Sequence, residues 1–293
     1  MVMIRIRAGA PRGVRQGAVF LAVGTCTGLF LHARRTMLRE LRQARAVAGA
    51  AQSVLLRPLP SRVAGLDVAA AQLSADRGAA VGGDLYEVLA TEHGVRLVMG
   101  DVRGHGLAAL GTVATVLGSF REAAHDEADL AGVLRRLDRA LARRPHVRDD
   151  PDHPAAEDFV TVLVVEVADD GTLHALNCGH PWPYRLSGRT VEPVSRAVPL
   201  PPLGLFPLPS RLPVAEFGRL LPGESLVLHT DGVADARDAR GRFFPLRAVL
   251  AEASRPGPLA AQSLLRAVFT RLLGHTGHRP ADDAAVLVVR RCP

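Results

Sequence analysis

With 293 residues, 48 % of them hydrophobic, the chain can bury a substantial core, which excludes global disorder and bounds it at about two domains. Every one of its 36 basic residues is arginine and the net charge is +7. That balance suits nucleic acid, anionic lipid or an acidic substrate, but no nucleic-acid-binding motif accompanies it. Three cysteines, Cys26, Cys178 and Cys292, form no CxxC pair, which excludes a disulfide framework and points to a cytoplasmic body.

Basic residues crowd the start of the chain, where Arg5, Arg7, Arg12, Arg15, Arg34, Arg35, Arg39, Arg42 and Arg45 surround an apolar run. Residues 17–33 (GAVFLAVGTCTGLFLHA) hold no Asp, Glu, Lys or Arg. A bilayer span needs roughly 20 apolar residues, with about 17 as the lower limit. Arginines on both flanks suit the two membrane interfaces, so a single-pass anchor in the cell membrane with a cytoplasmic body is expected. A signal peptide is the rival, although Arg34-Arg35 follows where small cleavage-site residues would stand. A soluble helix is the third reading.

Residues 34–57 lack proline, and Met37, Leu41, Ala44, Ala48 and Ala51 recur at helical spacing until Pro58 and Pro60 end the pattern. The stretch reads either as a connector packed on the domain or as a signalling helix pairing with its twin in a homodimer. The chain thus divides into a basic, membrane-spanning N-terminus (1–33), a linker helix (34–62) and a main domain (63–293).

Beyond residue 62, strands are predicted at 67–72, 95–102, 159–167, 172–178, 225–229 and 284–289, with helices near 107–124, 129–143, 245–253 and 259–273. Turn signals at Asp169-Asp170-Gly171, Ser187-Gly188 and Pro222-Gly223 join neighbouring strands tightly, which implies antiparallel pairing. Residues 144–157, rich in proline and charge, read as a surface loop.

Four segments set Asp beside Gly, or in a pair, at a strand edge: Gly82-Gly83-Asp84, Gly100-Asp101, Thr230-Asp231-Gly232 and Asp282-Asp283. A carboxylate at the end of a buried strand is costly unless it is paired or binds metal. Glycine beside it allows the backbone a sharp turn and a close approach. Several converging carboxylates repel one another, and divalent cations resolve that repulsion. Oxygen-only ligands select hard ions such as Mg²⁺ or Mn²⁺, while no Cys/His cluster offers a zinc site. Two such ions polarise a shared water and neutralise a phosphate, so the pattern points to phosphoester hydrolysis. Asp101, which closes a strand at a Gly-rich turn, is the best candidate for a bridging ligand.

The ordered set Gly82-Gly83-Asp84-Leu85-Tyr86, Gly100 to Gly106 (GDVRGHG), Phe159-Val160-Thr161, Asn177-Cys178-Gly179-His180-Pro181, Pro202-Leu203-Gly204, Thr230-Asp231-Gly232 and Asp282-Asp283 resembles a known family. It is similar to the PPM-type metal-dependent serine/threonine protein phosphatases, in their SpoIIE/RsbU-like bacterial branch, over roughly residues 63–290. The resemblance implies an α+β fold, a four-layer α-β-β-α sandwich of two antiparallel sheets flanked by helices, with the metals at one edge. It implies Asp84, Asp101, Asp231 and Asp282 as ligands of Mn²⁺ or Mg²⁺, two ions in all, with the backbone carbonyl of Val102. Asp101 and Asp231 would act through water activation. The implied substrate is a phosphorylated regulatory protein, such as an anti-sigma-factor antagonist; the competing reading is a membrane-tethered scaffold that binds phosphoprotein without hydrolysing it.

Glu87 and Asp235 stand where the family usually has Asp and Glu, and both keep the charge. His105 and His180 either protonate the leaving oxygen or are structural loop residues. Arg103 either grips phosphate or stays solvated. Asp283 faces outward or supports its neighbour.

Overall fold

The computed structural model describes residues 27–40, 43, 49, 54–73, 82–104, 107–144, 159–255, 257, 259–277, 280 and 282–292. The chain forms two units, Met1–Val47 and Ala48–Pro293. In the first, residues 27–40 are helical (α1) and exposed. No helix among the described residues is long and apolar enough to cross a membrane. Of the expected span at 17–33, residues 17–26 lie outside the described residues. Most of the expected loop at 144–157 also falls outside the described residues.

The second unit is built on two antiparallel sheets. One has strand order β1-β2-β11-β10-β7-β8, from Arg62–Val63, Leu66–Leu73, Ala284–Arg291, Ser225–His229, Tyr184–Ser187 and Thr190–Pro193. The other has order β3-β4-β5-β6-β9, from Asp84–Thr91, Gly94–Val102, Val160–Val167, Thr172–Cys178 and Ala215–Arg219. Its helices among the described residues include α2 (Leu107–Asp126), α3 (Leu130–Ala142), the single turn α4 (Asp231–Ala234), α5 (Leu246–Ala253) and α6 (Ala261–His275).

Alternation along the strands decides the layers. In β5, Val160, Val162 and Val164 pack with Val113, Leu117 and Phe120 of α2 and with Val133, Leu134 and Leu137 of α3. The intervening Leu163, Val165 and Val167 pack instead with Leu226 and Leu228 of β10 and Leu287 and Val289 of β11. A third cluster joins Val227, Val286 and Val288 to Leu250 of α5 and Leu264, Leu265 and Val268 of α6. Strands buried on both faces read as continuous β-branched runs, as VTVLVVEV does. The result is the expected α-β-β-α sandwich.

The predicted strands are found, but β3 is absent from the sequence expectation, as are short β1, β7, β8 and β9. The polar residues of β3 concealed it, and the structure explains one of them. Glu87 faces the helix layer, where Arg121 of α2 donates to it through Nε at 2.8 Å while its Nη2 reaches the Leu55 carbonyl, also at 2.8 Å. Glu87 therefore serves the joint between β3 and α2 and turns away from the strand's carboxylate end.

Candidate metal centre

Asp84 opens β3 and Asp101 is the penultimate residue of β4, and the two are directly opposite in the antiparallel register. Val88, Leu97 and Met99 lie in the core between the sheets. Asp84 and Asp101 are an even number of residues from them, so both carboxylates point into that layer at its edge. On the other sheet, Asp231 stands just past the end of β10, and Asp282 just before the start of β11. These strands pair as His229 opposite Val286, which brings Asp231 and Asp282 to the same edge.

Thr230 locks the two sheets together there. Its backbone N–H donates to the Ala285 carbonyl at 3.1 Å, and its hydroxyl accepts from the Ala285 N–H at 2.9 Å. The same hydroxyl donates to Asp84 Oδ2 at 3.2 Å. One buried side chain thus fixes a carboxylate of one sheet against the segment that carries Asp231 in the other.

The electrostatics report the same convergence. Burial, then the charges of Asp231, Asp282 and Asp283, push the Asp101 carboxyl up to about 7. Burial, followed by Asp101 and Asp283, raises Asp84 well above the usual carboxylate range, against the Thr230 hydrogen bond. Asp231 is raised by burial and then by Asp282. Asp283, expected outside or in support, takes part directly: its half-buried carboxylate lies against Gly82, and its N–H donates to Asp282 Oδ1 at 2.8 Å.

Two glycines make this crowding possible. A Cβ at Gly83 would stand 2.7 Å from Asp101 Oδ1 and closer still to the Val102 carbonyl oxygen, and one at Gly232 would overlap the Asp283 carbonyl. The Val102 side chain is sealed in the helix-facing core, while its N–H donates to the Gly83 carbonyl at 3.1 Å. The buried amide nitrogen of Gln72 lies beside Gly82 with no hydrogen-bond partner among the described residues.

All the donors gathered here are oxygens, a set suited to Mg²⁺ or Mn²⁺. Among the described residues no three His, Cys, Asp or Glu side chains close into a ready coordination sphere. An open arrangement fits Mg²⁺, which keeps several waters and takes one or two carboxylates. Buried acidic groups raised further by neighbouring carboxylates are a cluster that a cation would relieve, so the residues fit the metals that the sequence suggests.

The remaining candidates separate clearly. His105 lies outside the described residues. His180 is 2 % exposed, and burial, then His229, pushes it down to about 3. Its backbone is clamped on both sides by the Asn177 amide, at 2.8 Å each, and its Nδ1 lies 3.1 Å from Thr161 Oγ1. A neutral, sealed imidazole fits the structural reading of His180 and not that of a proton donor. Asp235 caps α4, its N–H donating to the Asp231 carbonyl at 2.7 Å. Sequence reasoning quoted Thr230 within its motif and missed its role; Gln72 carried no signal at all.

Two antiparallel sheets with helices on both outer faces and acidic residues at one edge define the PP2C-like class. Among solved structures, the chain is similar to the RsbU and RsbW domains of a Mycobacterium tuberculosis protein (23 % identity, TM-score 0.62), covering 78 % of this chain and 60 % of that one. It is similar to the SiaA PP2C domain of Pseudomonas aeruginosa (20 % identity, TM-score 0.66, covering 88 % and 97 %). A third match is the PP2C phosphatase domain of SpoIIE from Bacillus subtilis, with a fragment of its regulatory domain (16 % identity, TM-score 0.60, covering 77 % and 62 %). Residues 91–292 match the family model described as Stage II sporulation protein E (SpoIIE), and the chain belongs to that family. Its fold is that of the PP2C-type domains named above.

Proposed function

We propose that the chain hydrolyses phosphoserine or phosphothreonine on a regulatory protein at a Mn²⁺ or Mg²⁺ site held by Asp84, Asp101, Asp231, Asp282 and the Val102 carbonyl. The observation that carries this reading is the meeting of Asp84 and Asp101 from one sheet with Asp231 and Asp282 from the other, across the Thr230 hydroxyl. When bound, the ions would polarise water for attack on phosphorus and neutralise the phosphate dianion. Asp101 feels Asp231, Asp282 and Asp283 together, so a bound cation would relieve it. Thr230 holds Asp84 at the sheet edge, and Gly83 leaves the Val102 carbonyl clear. His180 holds Thr161 and keeps its proton out of the reaction.

A regulatory phosphoprotein as substrate, such as an anti-sigma-factor antagonist, is supported by family membership and by the similarity to a chain that joins an RsbU to an RsbW domain. The test is phosphate release by the full chain from phosphoserine and phosphothreonine peptides, with and without Mn²⁺. Mn²⁺-dependent turnover, lost at least a hundredfold in Asp101→Ala and Asp231→Ala, is expected, roughly the scale of removing a group that stabilises the transition state. Turnover that survives either substitution would sink the assignment, and metal binding without turnover on any phosphopeptide would favour the scaffold.

A further inference from the structure

We infer that Arg103 grips the phosphate of the substrate, an assignment that rests on the phosphatase reading above. Arg103 directly follows Asp101 and Val102, so it leaves β4 at the end where the carboxylates gather. Its N–H donates to the Phe159 carbonyl at 3.0 Å, and its guanidinium carbon lies over the Phe159 ring, 5.1 Å from the centroid. Backbone and tip are therefore both fixed to the residue that precedes β5.

The side chain is exposed and has no carboxylate partner among the described residues. In this it differs from Arg96, Arg121, Arg185 and Arg242, each of which pairs with Glu or Asp. A fixed cation at the same end of β4 as the acidic cluster, and without a carboxylate partner among the described residues, is available to an incoming anion. A phosphomonoester dianion approaching that cluster needs positive charge at the rim as well as at the metals. Guanidinium supplies two parallel N–H donors that match phosphate oxygens. Contact with the phenyl ring occupies the face of the fork and reduces the side-chain freedom that binding would otherwise cost.

The anionic oxygens could belong to the phosphate itself or to an acidic residue beside the phosphoserine, and the inference commits to the phosphate. The full chain, Arg103→Ala and Arg103→Lys are compared in Mn²⁺ on a phosphothreonine peptide without acidic residues. Binding of inorganic phosphate to the Mn²⁺-loaded proteins is measured alongside by calorimetry. Arg103→Ala is expected to raise KM and weaken phosphate binding by roughly tenfold, with kcat changing less than KM. Arg103→Lys should recover part of both, and the Mn²⁺-induced rise in melting temperature should stay at the wild-type value.

Unchanged phosphate binding in Arg103→Ala overturns the inference, and an effect seen only with acidic peptides would assign Arg103 to the flanking sequence instead. Loss of the Mn²⁺-induced rise would also overturn it, because the residue would then be supporting the metal site. If the wild-type chain releases no phosphate with Mn²⁺, the phosphatase reading fails, and the calorimetry still decides Arg103.

Discussion

At the scale of single residues, the site depends as much on missing side chains as on acidic ones. Gly83 lies against Asp101 and the Val102 carbonyl, and Gly232 against the Asp283 carbonyl. Neither neighbour is the far end of a flexible side chain for the closest contact, so the backbone itself would have to move. Gly83→Ala and Gly232→Ala are each expected to lower stability by about 1–3 kcal/mol, the usual cost of overpacking, and to weaken Mn²⁺ binding. Denaturant melts of the metal-free variants, together with Mn²⁺ titrations, check both effects. A variant that binds Mn²⁺ like wild type would show that the glycine does not shape the site. These glycines were legible in the sequence as turn formers beside Asp; that they press on particular oxygens was not, because the pressing atoms belong to strands far away in the chain.

At the scale of elements, the joint between β4 and the helix layer rests on an arginine with no exposed surface. Arg96 of β4 is fully buried and faces the helix layer. It donates to Glu166 of β5 at 2.9 Å and to the carbonyls of Ala124, Glu127 and Ala128, at 2.9, 2.5 and 3.2 Å. It therefore satisfies the end of α2 and the turn into α3, where the last carbonyls of a helix lack partners. Arg96→Leu is expected to cost about 3–5 kcal/mol, since the substitution leaves Glu166 without its arginine and three carbonyls without that donor. Urea unfolding of Arg96→Leu and of the double variant with Glu166→Leu tests this, and the double variant should recover part of the loss. Equal stability of wild type and Arg96→Leu would refute the role. Arg96 lies inside a strand found from sequence, yet an arginine in VRLVMGD gave no hint of facing inward, because its partners lie on β5 and beyond α2.

At the scale of the whole molecule, the acidic edge is a store of electrostatic repulsion that metal should release. Mn²⁺ is expected to raise the melting temperature of the full chain, because a ligand that binds only the folded state stabilises it. For the metal-free protein, the sign of the pH dependence follows from Asp101. Its folded carboxyl is raised from 3.8 to about 7, so between those values the folded state holds a proton that the unfolded state has lost. Stability contributed by this group is present below about 3.8 and is lost as pH rises toward about 7. His180 acts in the opposite sense: with its folded value lowered from 6.5 to about 3, stability falls as pH drops below about 6.5. The difference between wild type and Asp101→Asn isolates the first effect. In chelator, Asp101→Asn should become the more stable protein as pH rises from 4 to 7, and a constant difference over that range would contradict the account.

Read alone, the sequence determined the antiparallel pairing and the four acidic segments, because those depend on tight turns and Asp-Gly pairs within a few residues of one another, while the sandwich was implied only by the resemblance of the ordered motifs to a known family. The anchor it proposed at 17–33 falls largely outside the described residues. Only the tertiary structure decided that Thr230 bonds to Asp84, that Asp283 lies among the carboxylates, that Glu87 turns to Arg121, and that His180 is sealed and neutral. The physical reason is common to all four. Each depends on burial and on partners brought from distant parts of the chain, and neither is a property of any local stretch of sequence.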